Sequence, residues 1–134
     1  MGTRMDEIKS EIKMLPDWYS RFQYLMELSM DMEMMPDEKK IDANLIKSCQ
    51  SKSWIWADWI EGRLNVLVDS EALVSRGILT LIPATMNGLT VGEVLNFKFT
   101  ILQDTGLDKQ IEPDRIKGVE EAVKRIKLAA ISLK

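Results

Sequence analysis

Cys49 is the one cysteine in a chain of 134 residues that also lacks histidine altogether. A single thiol cannot close an internal disulfide, and it cannot build a thiolate cage for a metal. Without histidine there is no Cys-His dyad, no Ser-His-Asp triad and none of the usual zinc sites. No metal is therefore expected. What remains is a thiol acting without a built-in base. Its setting, KSCQSKS from Lys47 to Ser53, is polar or charged at every neighbouring position, a composition typical of segments that run near solvent. Lys47 and Lys52 flank the sulfur, and their charge is expected to favour the nucleophilic thiolate. An unpaired cysteine is equally a small hydrophobe of the kind that cores bury. From these residues alone the reactive and the inert readings both stand.

Composition narrows the partners. Apolar residues make up 46% of the chain, which argues against disorder, and the length suits one domain over residues 1–134. The net charge of -3 and isoelectric point near 5.1 are unsuited to a nucleic-acid partner, which needs a positive surface. Asp6, Glu7, Lys9 and Glu11 interrupt any apolar leader at the start, and no stretch is long enough to span a bilayer. The cytoplasm, or its organellar equivalent, is the expected location. The nine methionines read as core filler, with a soft docking surface as the other use.

The elements that must position Cys49 follow from periodicity. Thr3 and Asp6 have capping-box spacing ahead of a short helix carrying Met5, Ile8 and Ile12, which Pro16 should end. A second helix is expected over 17–34, with Trp18, Phe22, Leu25, Met26 and Ser29 on one stripe, before Pro36 and the charged run 37–40. Residues 41–53 read as an extended or loop segment. Two strands follow, 54–60 and 64–69, joined by a Glu61-Gly62 turn into an antiparallel hairpin. Asp69 or Ser70 can cap a helix bearing Val74, Ile78, Leu81 and Ile82, which Pro83 should kink or stop, with Gly88 at a helix-ending position. Thr90 and Glu93 make a second capping box for a short helix. A less regular stretch is expected from Phe97 to Asp114. A closing helix carries Val119, Ala122, Val123, Ile126, Ala129, Ala130 and Leu133, with Glu120–Lys124 and Glu121–Arg125 pairs. Helices, a small antiparallel sheet, then helices define an α+β fold.

The run SCQSKSWIWAD resembles the signature of the SufE family of cysteine desulfuration proteins, where Gln-Ser follows the cysteine and a Trp-bearing strand comes next. RFQYLMEL at 21–28, Pro36, Asn44, DSEALVSRGILTLI at 69–82, GLTVGEVL at 88–95 and GLDKQIEPDRIKGVEEAVKRI at 106–126 are similar to the family's other segments in the same order. The resemblance implies a SufE/NifU-like scaffold fold. It also implies a mechanism. A pyridoxal-phosphate cysteine desulfurase holds sulfur as a persulfide, and the thiolate of Cys49 attacks the outer sulfur of that group. The sulfur is then passed to an iron–sulfur scaffold complex, and the desulfurase turns over faster. The chain would be a sulfur-transfer partner and activator rather than an enzyme on its own, and the pyridoxal phosphate would belong to the desulfurase. Thiolate fraction and access should control such a transfer.

By the same resemblance Gln50 and Ser51 complete the cysteine motif, and Arg115 falls where the family has an arginine near the loop. Arg115 would steady an anionic sulfur or pair with the desulfurase; an ordinary surface ion pair is the alternative. Lys47, Lys52 and Glu71 are candidate docking residues. A persulfide is labile toward small thiols, so the Cys49 loop is expected to fold against apolar side chains near Trp54 and to swing outward on docking. Trp56 and Trp59 read as core or hairpin cladding. Ser48 replaces the family's glycine, Glu71 an aspartate, Gln110 a histidine and Asp114 a serine, which bears on loop shape and docking. A cluster scaffold needs several cysteines, so that role is disfavoured. A thiol redox sensor and a non-catalytic interaction domain are the competing readings.

Overall fold

A computed structural model describes residues 3–133 of the chain. Six helices flank one hairpin: α1 (Thr3–Met14), α2 (Trp18–Met30), β1 (Ser53–Ile60), β2 (Arg63–Ser70), α3 (Leu73–Met86), α4 (Val91–Asn96), α5 (Ile101–Thr105) and α6 (Pro113–Leu133). The architecture is α+β, as periodicity predicts. The Thr3 side chain of the expected first capping pair lies outside the described residues.

The strands pair antiparallel from Ser53↔Ser70 to Ile60↔Arg63. Because side chains alternate across a strand, the sheet has two different faces. Ile55, Ala57 and Trp59 of β1, with Leu64, Val66 and Val68 of β2, join the main helical core. Trp54, Trp56 and Leu67 face the other way and form a small second cluster with Met35 and Leu45. The Lys39 ammonium lies 4.0 Å from the centre of the Trp56 ring, a cation–π contact over this second face. Each outer edge is met at its start: Ile46 N–H donates to the Ser53 carbonyl at 2.8 Å along β1, and Leu64 N–H donates to the Leu89 carbonyl at 2.8 Å along β2.

Several elements depart from the periodicity reading. α2 stops at Met30, four residues early, where Asp31 closes it. Neither Asp69 nor Ser70 is the N-cap of α3; both still belong to β2, Ala72 holds the cap position, and Ser70 Oγ accepts from Ala72 N–H at 3.1 Å. α3 does not stop at Pro83 but continues to Met86. Proline in a helix interior costs about 3 kcal/mol. Leu81, Ile82 and Met86 are all fully buried around it, and at about 1.5–3 kcal/mol each their burial outweighs that cost. Residues 97–114 are more ordered than expected, holding α5 and a 3-10 turn at Leu107–Lys109. On α6 the Glu121–Arg125 pair forms at 2.7 Å, whereas no ion pair joins Glu120 to Lys124 among the described residues.

Candidate functional site

The segment that carries Cys49 begins at the sheet. Leu45 bridges to Trp54, and the Ile46–Ser53 hydrogen bond closes residues 47–52 into a loop whose ends are tied together. Within it, Cys49 N–H donates back to the Ile46 carbonyl at 3.2 Å. This tight turn points the thiol inward, onto α6. The sulfur packs on Gly118: a Cβ built there would stand 2.2 Å from Cys49 Sγ. Only a residue without a side chain leaves room for the sulfur at that helix position.

Cys49 is thus half-buried, its sulfur packed against the main core while Lys47, Ser48 and Gln50 around it are exposed. Its shield is different from the one expected, since Trp54 belongs to the second cluster while the sulfur meets Gly118 near Ile46. The electrostatics reverse in the same way. Burial pushes the Cys49 thiol above its usual pKa; Glu121 and Asp114 add to this, while the Ser53 hydroxyl and Arg115 pull the other way. Lys47 and Lys52 point to solvent, and neither is among the groups that dominate the titration. Partial burial disfavours the thiolate, and flanking charge in the sequence does not overcome that.

Beside the sulfur lies a cavity of about 30 Å³ lined by Cys49, Gln50, Ser51, Ser75, Glu112, Asp114 and Arg115. A water needs roughly 10–15 Å³ measured this way, so the space suits one or two atoms. Arg115 donates to Ser75 Oγ at 2.6 Å and lies 3.5 Å from the Glu112 carboxylate. The fold therefore gathers Cys49, Gln50, Ser51 and Arg115 at one cavity. Lys47, Lys52 and Glu71 lie outside it; Glu71 is exposed between β2 and α3, its N–H donating to the Lys52 carbonyl at 2.9 Å. Gln110 is also elsewhere, accepting from Arg21 at 2.8 Å.

Among the residues of the site that escape sequence reasoning are Ser75, Gly118 and Glu121. Gly118 carries a signal, because a glycine inside a strongly periodic helix weakens it and calls for a packing reason. Ser75 and Glu121 are ordinary helical residues in the sequence, and only the fold brings them to the cysteine.

The comparisons with known proteins bear on the family and the fold. The SufE model, described as an Fe-S metabolism associated domain, matches residues 6–130. The chain belongs to the SufE family. An uncharacterized SufE-like protein of Synechocystis is 30% identical over 112 residues, covering 84% of this chain and 70% of the relative. A SufE-like protein of Rhizobium etli is 27% identical over 128 residues, covering 92% and 86%. The solution structure of a hypothetical protein from Thermus thermophilus shares the fold, with a TM-score of 0.80 at 20% identity over 96% of this chain and 94% of that one. Membership of SufE places the chain in sulfur handling for iron–sulfur metabolism. No described helix is long and apolar enough to cross a membrane, and no group of three or more histidine, cysteine or acidic residues among the described ones could hold a metal ion.

Proposed function

We propose that this SufE-family chain takes sulfane sulfur from a pyridoxal-phosphate cysteine desulfurase onto Cys49 and delivers it to an iron–sulfur scaffold complex, in the cytoplasm or an organellar equivalent. The observation that supports this most is the single thiol seated on Gly118 beside a cavity of one or two atoms that Arg115 lines. In the transfer, the Cys49 thiolate attacks the outer sulfur of the desulfurase persulfide. A Cys49 S–S bond forms, the desulfurase S–S bond breaks, and its electron pair leaves on the desulfurase thiolate. The new outer sulfur needs about 2 Å beyond Sγ, and the cavity offers it a place next to a guanidinium. Gln50 and Ser51 wall that place. The chain supplies no catalysis by itself; it relieves the desulfurase of its product.

Burial at rest fits a carrier. A half-buried thiol whose thiolate is disfavoured is a poor target for oxidants, an outer sulfur held in the cavity is sheltered from small thiols, and attack on a docked persulfide requires the 47–52 loop to leave α6. Incubating the protein with a cysteine desulfurase and cysteine, then weighing the intact chain without reductant, should show added sulfur that dithiothreitol removes and Cys49→Ser abolishes. Wild type, and not the variant, should speed cysteine turnover. A mass gain of oxygen from peroxide, with no sulfur uptake from the desulfurase, would identify a redox-sensing thiol instead.

A further inference from the structure

Glu121 lies one turn beyond Gly118 on α6, and its carboxylate faces the residues just before the cysteine. It accepts from Lys47 N–H at 3.1 Å, from Ser48 N–H at 2.8 Å and from the Ser48 hydroxyl at 2.5 Å. Arg125, another turn along, donates to the same carboxylate at 2.7 Å and also to the Leu45 carbonyl. Hydrogen bonds to an ionised carboxylate are about twice as strong as neutral ones. The Ser53 hydroxyl beside the thiol apart, the described hydrogen bonds that tie residues 47–50 to another element all end on Glu121. The base of the loop is secured separately, by the Ile46–Ser53 bond. Breaking the Glu121 contacts would free the loop to turn about that base without disturbing the sheet.

We infer that Glu121 is a positioning residue that clamps residues 47 and 48 to α6 and so sets how often the Cys49 sulfur leaves its seat. This rests on the reading of Cys49 as the sulfur acceptor. Two of the three clamp bonds come from backbone amides and need no side chain at position 48. The third needs the Ser48 hydroxyl, so this chain holds its loop more firmly than a glycine at that position would. A docking desulfurase has to break these bonds or offer Glu121 replacement donors, such as a guanidinium or free N–H groups.

The free full-length protein tests the clamp through the rate of Cys49 alkylation by iodoacetamide, followed by intact mass across pH until the rate stops rising. Glu121 and Asp114 hold the thiol pKa up and Arg115 pulls it down, with Lys47 and Lys52 further out on the loop. Removing the Glu121 charge alone would slide the profile to lower pH and leave its plateau unchanged. Releasing the clamp raises the plateau itself. Glu121→Ala should raise it roughly tenfold, the combined loss of three bonds that each hold the loop by about twofold to threefold. Glu121→Gln should fall between that and wild type. Ser48→Gly, which keeps the charge and is the milder change should Glu121→Ala not fold, should raise it about twofold to threefold. Amide exchange at residues 47 and 48 should quicken by similar factors while β1 amides hold their protection. A plateau within experimental error of wild type in every variant overturns the inference, as does exchange that quickens equally throughout β1. No desulfurase enters either measurement, so a raised plateau without sulfur uptake would refute the proposed function and leave the clamp standing.

Discussion

A glycine in a helix interior ordinarily costs about 0.5–1 kcal/mol relative to alanine, so Gly118→Ala would be expected to stabilise α6. Here the added methyl meets Cys49 Sγ at 2.2 Å. The sulfur is the far end of a rotatable side chain, whereas the helix backbone is fixed by its neighbours, so the sulfur should move. Gly118→Ala is expected to leave the unfolding free energy from urea denaturation within about 1 kcal/mol of wild type while raising the alkylation rate of Cys49 several-fold. An alkylation rate equal to wild type would mean the sulfur does not rest on this glycine. Arg115 acts on the thiol through charge, pulling its pKa down. Arg115→Ala should therefore raise the thiol pKa further above its ordinary value, which thiolate absorbance against pH would record as a shift of the titration to higher pH.

Among the elements, the hairpin shows how local chemistry and the observed geometry meet. Glu61 has φ of 52° and Gly62 has φ of 77°, the pair of left-handed positions of a two-residue turn that favours Asn-Gly. Glycine is at ease there and glutamate is not. Glu61→Asn should stabilise the protein by up to about 1 kcal/mol, measured as a higher urea midpoint with an unchanged slope. The hairpin was legible because its alternation and its turn residues are local signals. α3 was legible only in outline. Its periodic stripe marks Ile78, Leu81 and Ile82, yet every residue from Gly77 to Met86 is buried, since α1, α2, α6 and β2 all pack around it. A helix enclosed on all sides can carry Pro83 in its last turns, and nothing in the local sequence announces that enclosure.

Across the whole molecule, two carboxylates join elements that are distant in sequence. Asp69, at the end of β2, receives Lys40 at 2.8 Å and Arg76 at 2.8 Å, and Ser70 N–H at 2.7 Å. Burial alone would push its carboxyl up, but the bonds from Lys40, Ser70 and Arg76 outweigh it and hold the pKa below the ordinary value. Glu121 follows the same pattern: burial raises it, and the Ser48, Lys47 and Arg125 contacts bring it lower. A carboxylate with a depressed folded pKa contributes stability that is present above its unfolded pKa, about 4, and is lost as pH falls through the folded one. The urea midpoint should therefore decline below about pH 4. Lys40 does not offset this, because its raised pKa affects stability only in the alkaline range. Asp69→Asn should cost about 2 kcal/mol at neutral pH, the order of hydrogen bonds to a charged group, and should flatten the acid decline; an unaltered slope would show that Asp69 is not one of its sources.

The sequence by itself determined the kind of chemistry, since one cysteine and no histidine leave a lone thiol, and it determined the α+β order through periods of two and 3.6 that depend only on near neighbours. It also brought Gln50 and Ser51 to the sulfur by adjacency. Tertiary structure alone decided that Cys49 is half-buried against α6, that Lys47 and Lys52 stand clear of it, and that Gly118, Ser75 and Glu121 surround its loop. The physical reason is range. A polar heptapeptide specifies its own preference for water, but whether its one thiol finds water is settled by a helix some seventy residues away, whose single missing side chain makes room for a sulfur atom.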